Sequence, residues 1–256
     1  MNIDAYELAI LVLLGLAVGS FLNVCIHRLP RGQSLNSPPS RCPSCDYRLR
    51  WVDNIPVLSY ALLGGRCRKC RTRISIRYPL VELITMALFV LHGVVFGWSA
   101  LLLPRLVFAC AMVVLFAIDL EHQLLPNAIT LPGIVVGLIA STVLPPGIVD
   151  ALIGAVIGGG VLWLVGEAYF RFSGHEGMGG GDVKMLAMIG AFLGWKLVLL
   201  TLVLSSIAGS VIGLLVIAFR KGGMKYALPY GTFLALGALV SSLVGESIVN
   251  WYVGLY

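Results

Sequence analysis

Two acidic side chains and four cysteines stand out as reactive. Asp119 ends the apolar run Phe116-Ala117-Ile118 shortly before Leu124-Leu125-Pro126, and Asp182 closes the glycines of GMGGGDVK, residues 177–184. Both border apolar stretches, where a carboxylate at membrane depth costs at least about 2.5 kcal/mol and so marks function. Carboxyl groups sharing one site do not both ionise cheaply, so one keeps a proton while the other acts as a base. Such a pair can activate water and polarise a scissile carbonyl, and the glycines beside Asp182 leave its backbone open to approach. Helix capping or contact with lipid headgroups is the alternative role for both, since Asp favours N-caps. Cys42-Pro43-Ser44-Cys45 and Cys67-Arg68-Lys69-Cys70 are two CxxC pairs with 21 residues between them. Two such turns supply the four thiolates of a tetrahedral structural zinc site. Disulfides are the alternative, disfavoured in a reducing compartment.

The elements that carry these residues are membrane helices. The 256-residue chain is 59% hydrophobic and 12% charged, with a mean hydropathy of +0.95. That composition excludes an ordinary soluble domain and a disordered chain. Apolar stretches run over about 6–26, 78–97, 100–118, 127–144, 149–170, 183–195, 197–219 and 227–248. A spanning helix needs about 20 residues, so 183–195 is short for the task. Backbone groups in lipid are satisfied by helices where no barrel alternation is present. The expected fold class is therefore an all-α polytopic membrane protein of about eight transmembrane helices. Its expected parts are a first transmembrane helix over 1–26, a cytoplasmic zinc-binding module over 27–77, and a transmembrane domain over 78–256.

Charge sets the orientation. Segment 27–77 holds 11 of the 18 Lys and Arg residues. With eight spans and this segment in the cytoplasm, Arg171, Lys184, Arg220, Lys221 and Lys225 join it, leaving only Arg105 and Lys196 outside. A re-entrant 183–195 would put four outside instead, so eight spans satisfy the positive-inside rule better. Asp4 and Glu7 precede the first helix while Arg28 and Arg31 follow it, which reads as a retained anchor rather than a signal peptide. Asp119 and Asp182 then share the cytoplasmic surface. The basic excess marks that side and meets anionic lipid, so no nucleic-acid partner is expected. A small polar module of this size needs a metal to fold, whereas Cys25 and Cys110 are packing residues.

Other motifs fail on context. GMGGGDVK lacks the GK followed by Ser or Thr of a phosphate loop and follows no strand. His175-Glu176-Gly177-Met178-Gly179 breaks the HExxH pattern, which places a metal site of Asp119, His122, His175 and Asp182 below the dyad. The GxxxG pairs Gly15/Gly19, Gly133/Gly137, Gly154/Gly158, Gly190/Gly194 and Gly209/Gly213 mark close helix packing. Glu82 and Glu246 are intramembrane carboxyls whose use is open.

Six blocks, in this order, closely resemble the bacterial type IV prepilin peptidases, which are intramembrane aspartic proteases of the GxGD type. They are GSFLNVCIHRLP (19–30), the CxxC pairs flanking WVDNIPVLSY (51–60), RYPLVEL (77–83), IDLEHQLLPN (118–127), GMGGGDVK (177–184) and LPYGTFLALGA (228–238). The resemblance implies catalytic Asp119 and Asp182, and a metal module of Cys42, Cys45, Cys67 and Cys70. It implies cleavage of the basic leader of prepilins and type II secretion pseudopilins on the cytoplasmic side of the bacterial inner membrane. It also implies N-methylation of the new N-terminus with S-adenosylmethionine, although no loop for that cofactor is recognisable. Asn127 and Thr232 stand where that family often has aspartate and proline, and neither is expected to touch the dyad. Glu121 and Glu176 are expected to receive the basic leader. A proton-coupled transporter and a membrane-anchored zinc module binding a partner are the competing functions.

Overall fold

The computed structural model describes residues 3–175, 179–219 and 229–255. Glu176, Gly177 and Met178, the basic Arg220, Lys221 and Lys225, and Leu228 lie outside the described residues. The chain divides into two compact units, one ending at Leu102 and the other beginning at Leu103.

The first unit is built on α1 (Ala5–Arg28) and α3 (Arg77–Phe96), with the short α2 (Leu58–Leu62) in the polar segment between them. Leu11, Gly15, Gly19, Leu22 and Ile26 of α1 are buried at steps of three and four, so a single face meets α3. A Cβ added at Gly15 would lie 2.6 Å from Met86 Cα, and one at Gly19 would lie 2.7 Å from Glu82 Cα. The pairing order shows that the two helices are antiparallel, with backbones touching where glycine removes the side chain.

The second unit contains α4 (Leu102–His122), α5 (Asn127–Ala140), α6 (Ile148–Ser173), α7 (Gly180–Phe219) and α8 (Tyr230–Val253). Its core joins Phe108, Met112 and Leu115 of α4 to Met185, Leu186, Met188, Ile189 and Phe192 of α7, and to Leu234, Ala235 and Ala238 of α8. Helix α7 is not one rod. Gly194 has φ 79° and ψ 175°, outside helical space, in the region where glycine is favoured. A Cβ added at Gly158 of α6 would lie 2.5 Å from Leu186 O and 3.0 Å from Val198 Cγ2. Those residues would be about 18 Å apart along an unbroken helix. The chain therefore doubles back at Gly194, and the arm 180–193 runs beside the arm 195–219.

This hairpin accounts for two of the eight apolar stretches inside one element. Among the described residues, six helices are long and apolar enough to cross a membrane, while Asn127–Ala140 is shorter. The short stretch 183–195 is the most enclosed of all, buried at Met185, Leu186 and every residue from Met188 to Gly194. Protein rather than lipid surrounds it, so bilayer thickness does not set its length. Helix α6 supplies part of that wall: a Cβ added at Gly154 would lie 2.6 Å from Gly190 O. Gly190→Ala is expected to force the arms from α6, costing about 1–3 kcal/mol as overpacking. The check is a lower thermal unfolding midpoint in detergent.

Candidate active site and metal centre

Asp119 lies in the last turn of α4, which Gln123 ends with φ 50° and an N–H donated to Asp119 O at 2.9 Å. Its carboxylate is buried and turns toward the start of α8. There Pro229 precedes the first turn, leaving N–H groups without intrahelical partners. Thr232 N–H donates to Asp119 Oδ2 at 2.7 Å, and the Thr232 hydroxyl donates to the same oxygen at 3.1 Å. Asp119 thus caps α8 from another helix, at the end whose dipole attracts an anion.

Asp182 sits in the first turn of α7, with its own N–H donated to Gly179 O at 3.1 Å. Gly181 precedes Asp182, and Gly231 lies against the Asp119 carboxylate. Leu125, in the α4–α5 connection, packs at both: a Cβ at Gly181 would lie 3.0 Å from Leu125 Cβ, and a Cβ at Gly231 would lie 3.0 Å from Leu125 Cδ1. Three helix ends therefore converge on one spot. Lys184 Nζ donates to Asn127 Oδ1 at 3.0 Å, tying the first turns of α7 and α5 together. Tyr230, whose hydroxyl is 3.3 Å from Ser206 Oγ, opens a cavity of about 450 Å³ lined also by Leu162, Leu202, Gly209 and Phe233.

The expectation that Thr232 stands off the dyad is corrected. It makes two hydrogen bonds to Asp119, whereas a proline there would offer neither an N–H nor a hydroxyl. Thr232 and Gly231 were missed as site residues because neither carries charge, although a proline two residues before Gly231 is a helix-start signal. Asn127 bonds Lys184 and not the dyad. Gly231 is tighter still, since an added Cβ would lie 2.9 Å from Asp119 Oδ2. Gly231→Ala is expected to displace the carboxylate and lower the catalytic rate about a hundredfold. Thr232→Val keeps the N–H and loses one bond to a charged group, a change of about tenfold. Steady-state kinetics check both.

The cysteines belong to the first unit. Each CxxC closes into the same knuckle. Cys42 N–H donates to Tyr47 O and Asp46 N–H to Cys42 O; Cys67 N–H donates to Thr72 O and Arg71 N–H to Cys67 O. The residue after each second cysteine, Asp46 or Arg71, has positive φ, and Arg41–Arg48 and Arg66–Arg73 bridge across each knuckle. Arg-Cys-x-x-Cys-x-x-Arg is thus a repeat of one turn that presents two thiols. The four Sγ atoms lie within 4.8 Å of one another, with Cys42–Cys70 at 3.7 Å and Cys45–Cys67 at 4.0 Å. A zinc–sulfur bond of about 2.3 Å gives tetrahedral edges of about 3.8 Å, so the donor set fits zinc. None of the four is in a disulfide.

The knuckles are joined by Asp53, which accepts from Arg68 Nε at 2.7 Å, Tyr47 hydroxyl at 3.1 Å and Arg50 N–H at 3.1 Å. Desolvation works against the charged carboxylate, but these donors, Arg68 foremost, hold Asp53 below its ordinary range. Its contribution to folding is complete above about pH 3.9 and is lost as pH falls through the lower folded value.

A multi-pass helical membrane protein with two carboxyls at converging helix ends and a four-thiol cluster is thereby defined. Residues 13–96 match the bacterial peptidase A24 N-terminal domain, and residues 106–214 match the type IV leader peptidase family. A protein of Pseudomonas putida named prepilin leader peptidase/N-methyltransferase is 39% identical, over 95% of this chain and 93% of its own length. Proteins of the same name from Stutzerimonas stutzeri and Legionella pneumophila are 40% and 34% identical, over 97% and 100% of this chain and 94% and 98% of theirs. No solved structure matches significantly. This chain belongs to the type IV leader peptidase family.

Proposed function

We propose that this protein is an aspartic endopeptidase of the bacterial inner membrane. It removes the basic leader of prepilins or pseudopilins on the cytoplasmic side and methylates the nitrogen so exposed. The observation that carries the reading is the convergence of Asp119 and Asp182 at the ends of α4 and α7, against the first turn of α8. A transporter would place its carboxyls near the bilayer midplane, whereas these two lie in terminal helical turns. The eight helical segments, counting α7 as two, span the membrane as the charge distribution requires, with both aspartates facing the cytoplasm.

In the proposed reaction Asp119, with Oδ2 engaged by Thr232, takes a proton from water through Oδ1. The hydroxide oxygen bonds the scissile carbonyl carbon while Asp182 gives its proton to the carbonyl oxygen. Collapse of the tetrahedral intermediate returns that proton to Asp182 and breaks the C–N bond as the leaving nitrogen takes the proton held by Asp119. Zinc, held by Cys42, Cys45, Cys67 and Cys70, is structural, because four protein ligands leave no open position. S-adenosylmethionine supplies an electrophilic methyl group when bound, and no residue here is assigned to it. Cleavage of a pilin-like precursor by single Asp→Asn variants tests the reading.

A further inference from the structure

The α1–α3 seam contains two polar side chains that the peptidase chemistry does not use. Asn23 is 3% exposed and Glu82 is 7% exposed. Gly19 lies against Glu82, and Asn23 Nδ2 donates to Tyr78 O at 3.0 Å. Gly19 and Asn23 are four residues apart on α1, as Tyr78 and Glu82 are on α3. The amide and the carboxylate therefore sit one turn apart in the same antiparallel seam.

Asn23 Nδ2 also donates to Gly19 O at 3.3 Å. Two carbonyl acceptors fix the orientation of the amide, since a flipped oxygen would face both. Asn23 Oδ1 is then buried with no hydrogen-bond partner. Glu82 accepts from Val57 N–H at 2.7 Å. Among the described residues no Lys or Arg side chain pairs with it. A buried carboxylate with no cation and an orphaned amide oxygen form a site short of donors and of positive charge. A primary ammonium supplies both, with three N–H donors and one charge.

The proposed peptidase produces such a group at every turnover, and the proposed methyl transfer acts on it. We propose that Asn23 Oδ1 and the Glu82 carboxylate hold the α-ammonium of the processed substrate, in the unit that does not carry the aspartates. This inference rests on the peptidase–methyltransferase reading. Glu82 takes one proton from the ammonium, leaving a neutral amine with its lone pair free and a neutral carboxyl group. Val57 is the cover. This β-branched residue holds φ 59° and ψ −47°, a strained conformation secured by its N–H bond to Glu82. An ammonium that replaces the Val57 N–H at Glu82 lets that strain relax, which offsets the lost bond.

The test uses the full protein in detergent, without cofactor, and a fluorescent peptide beginning at the processed N-terminus. Because that peptide needs no cutting, the result stands whether or not Asp119 and Asp182 are catalytic. Wild type is expected to bind the free-amine peptide at least tenfold more tightly than its N-acetylated form. Glu82→Gln, which keeps an acceptor for Val57 N–H, and Asn23→Ala are expected to lose that preference, with unfolding midpoints confirming that each variant is folded. Equal binding of the two peptides by wild type overturns the proposal, and this arm decides alone if a variant does not fold. Retention of the tenfold preference in folded Glu82→Gln also overturns it.

Discussion

Asp119→Asn and Asp182→Asn are each expected to abolish leader cleavage by the purified protein, lowering the rate by about a thousandfold or more. The size follows from how the labour is divided. A shared proton makes one carboxyl the base and the other the acid, and an amide can serve as neither. Losing either partner removes both functions, so the double variant is expected to be no worse than each single one. Asparagine at 119 still accepts from Thr232 N–H and hydroxyl, so the α8 cap persists and loss of activity is not loss of fold. The measurement is cleavage of a pilin-like precursor, followed by the shift of the product band, with unfolding midpoints alongside. Cleavage within tenfold of wild type in either variant ends the dyad account.

How much of this was readable in the chain varies with the physics of each feature. The eight apolar stretches announced the helices, because lipid forbids polar runs. What hydropathy does not encode is the direction of a turn: Gly194 reverses the chain beside Trp195-Lys196, and only its contacts with α6 reveal that. Asp119 and Asp182 were legible because carboxyls are costly in apolar surroundings. Gly231, Thr232 and Leu125 were not, because uncharged residues distant in sequence leave no such mark, and Thr232 was wrongly placed off the site. The two knuckles, Arg41-Cys42 to Arg48 and Arg66-Cys67 to Arg73, were legible as CxxC pairs, yet their identity as a repeat shows in the matching hydrogen bonds. Asp53, which joins the knuckles, reads in sequence as one more loop acid.

Loss of the proposed zinc is the other large expected effect. The first unit's polar segment has almost no apolar core: Cys42, Cys67 and Gly65 are its buried residues between Gln33 and Ile76. Little apolar burial is left to hold the knuckles once the thiolates repel one another. The Thr72 hydroxyl and N–H pull the Cys70 thiol down to about 6. Against the pull of the Tyr47 N–H, desolvation and hydrogen bonding with the other three sulfurs push Cys45 up to about 12. Zinc bound by Cys42, Cys45, Cys67 and Cys70 would replace that uneven sharing of protons, and structural zinc in small peptides contributes about 10–16 kcal/mol of folding free energy at neutral pH. The protein as purified is therefore expected to hold one zinc ion per chain by elemental analysis, and Cys67→Ser is expected to hold less than about a tenth of that. Limited proteolysis should cut the variant, and chelator-treated wild type, within residues 41–73 while leaving the helices of the second unit intact. Asp53→Asn retains all four thiolates but weakens the Arg68 contact, so its metal content should stay near one while cutting in this segment increases several-fold. A wild-type protein free of metal, with 41–73 resistant to protease, would show that the Asp53 network and backbone bridges suffice to close the module.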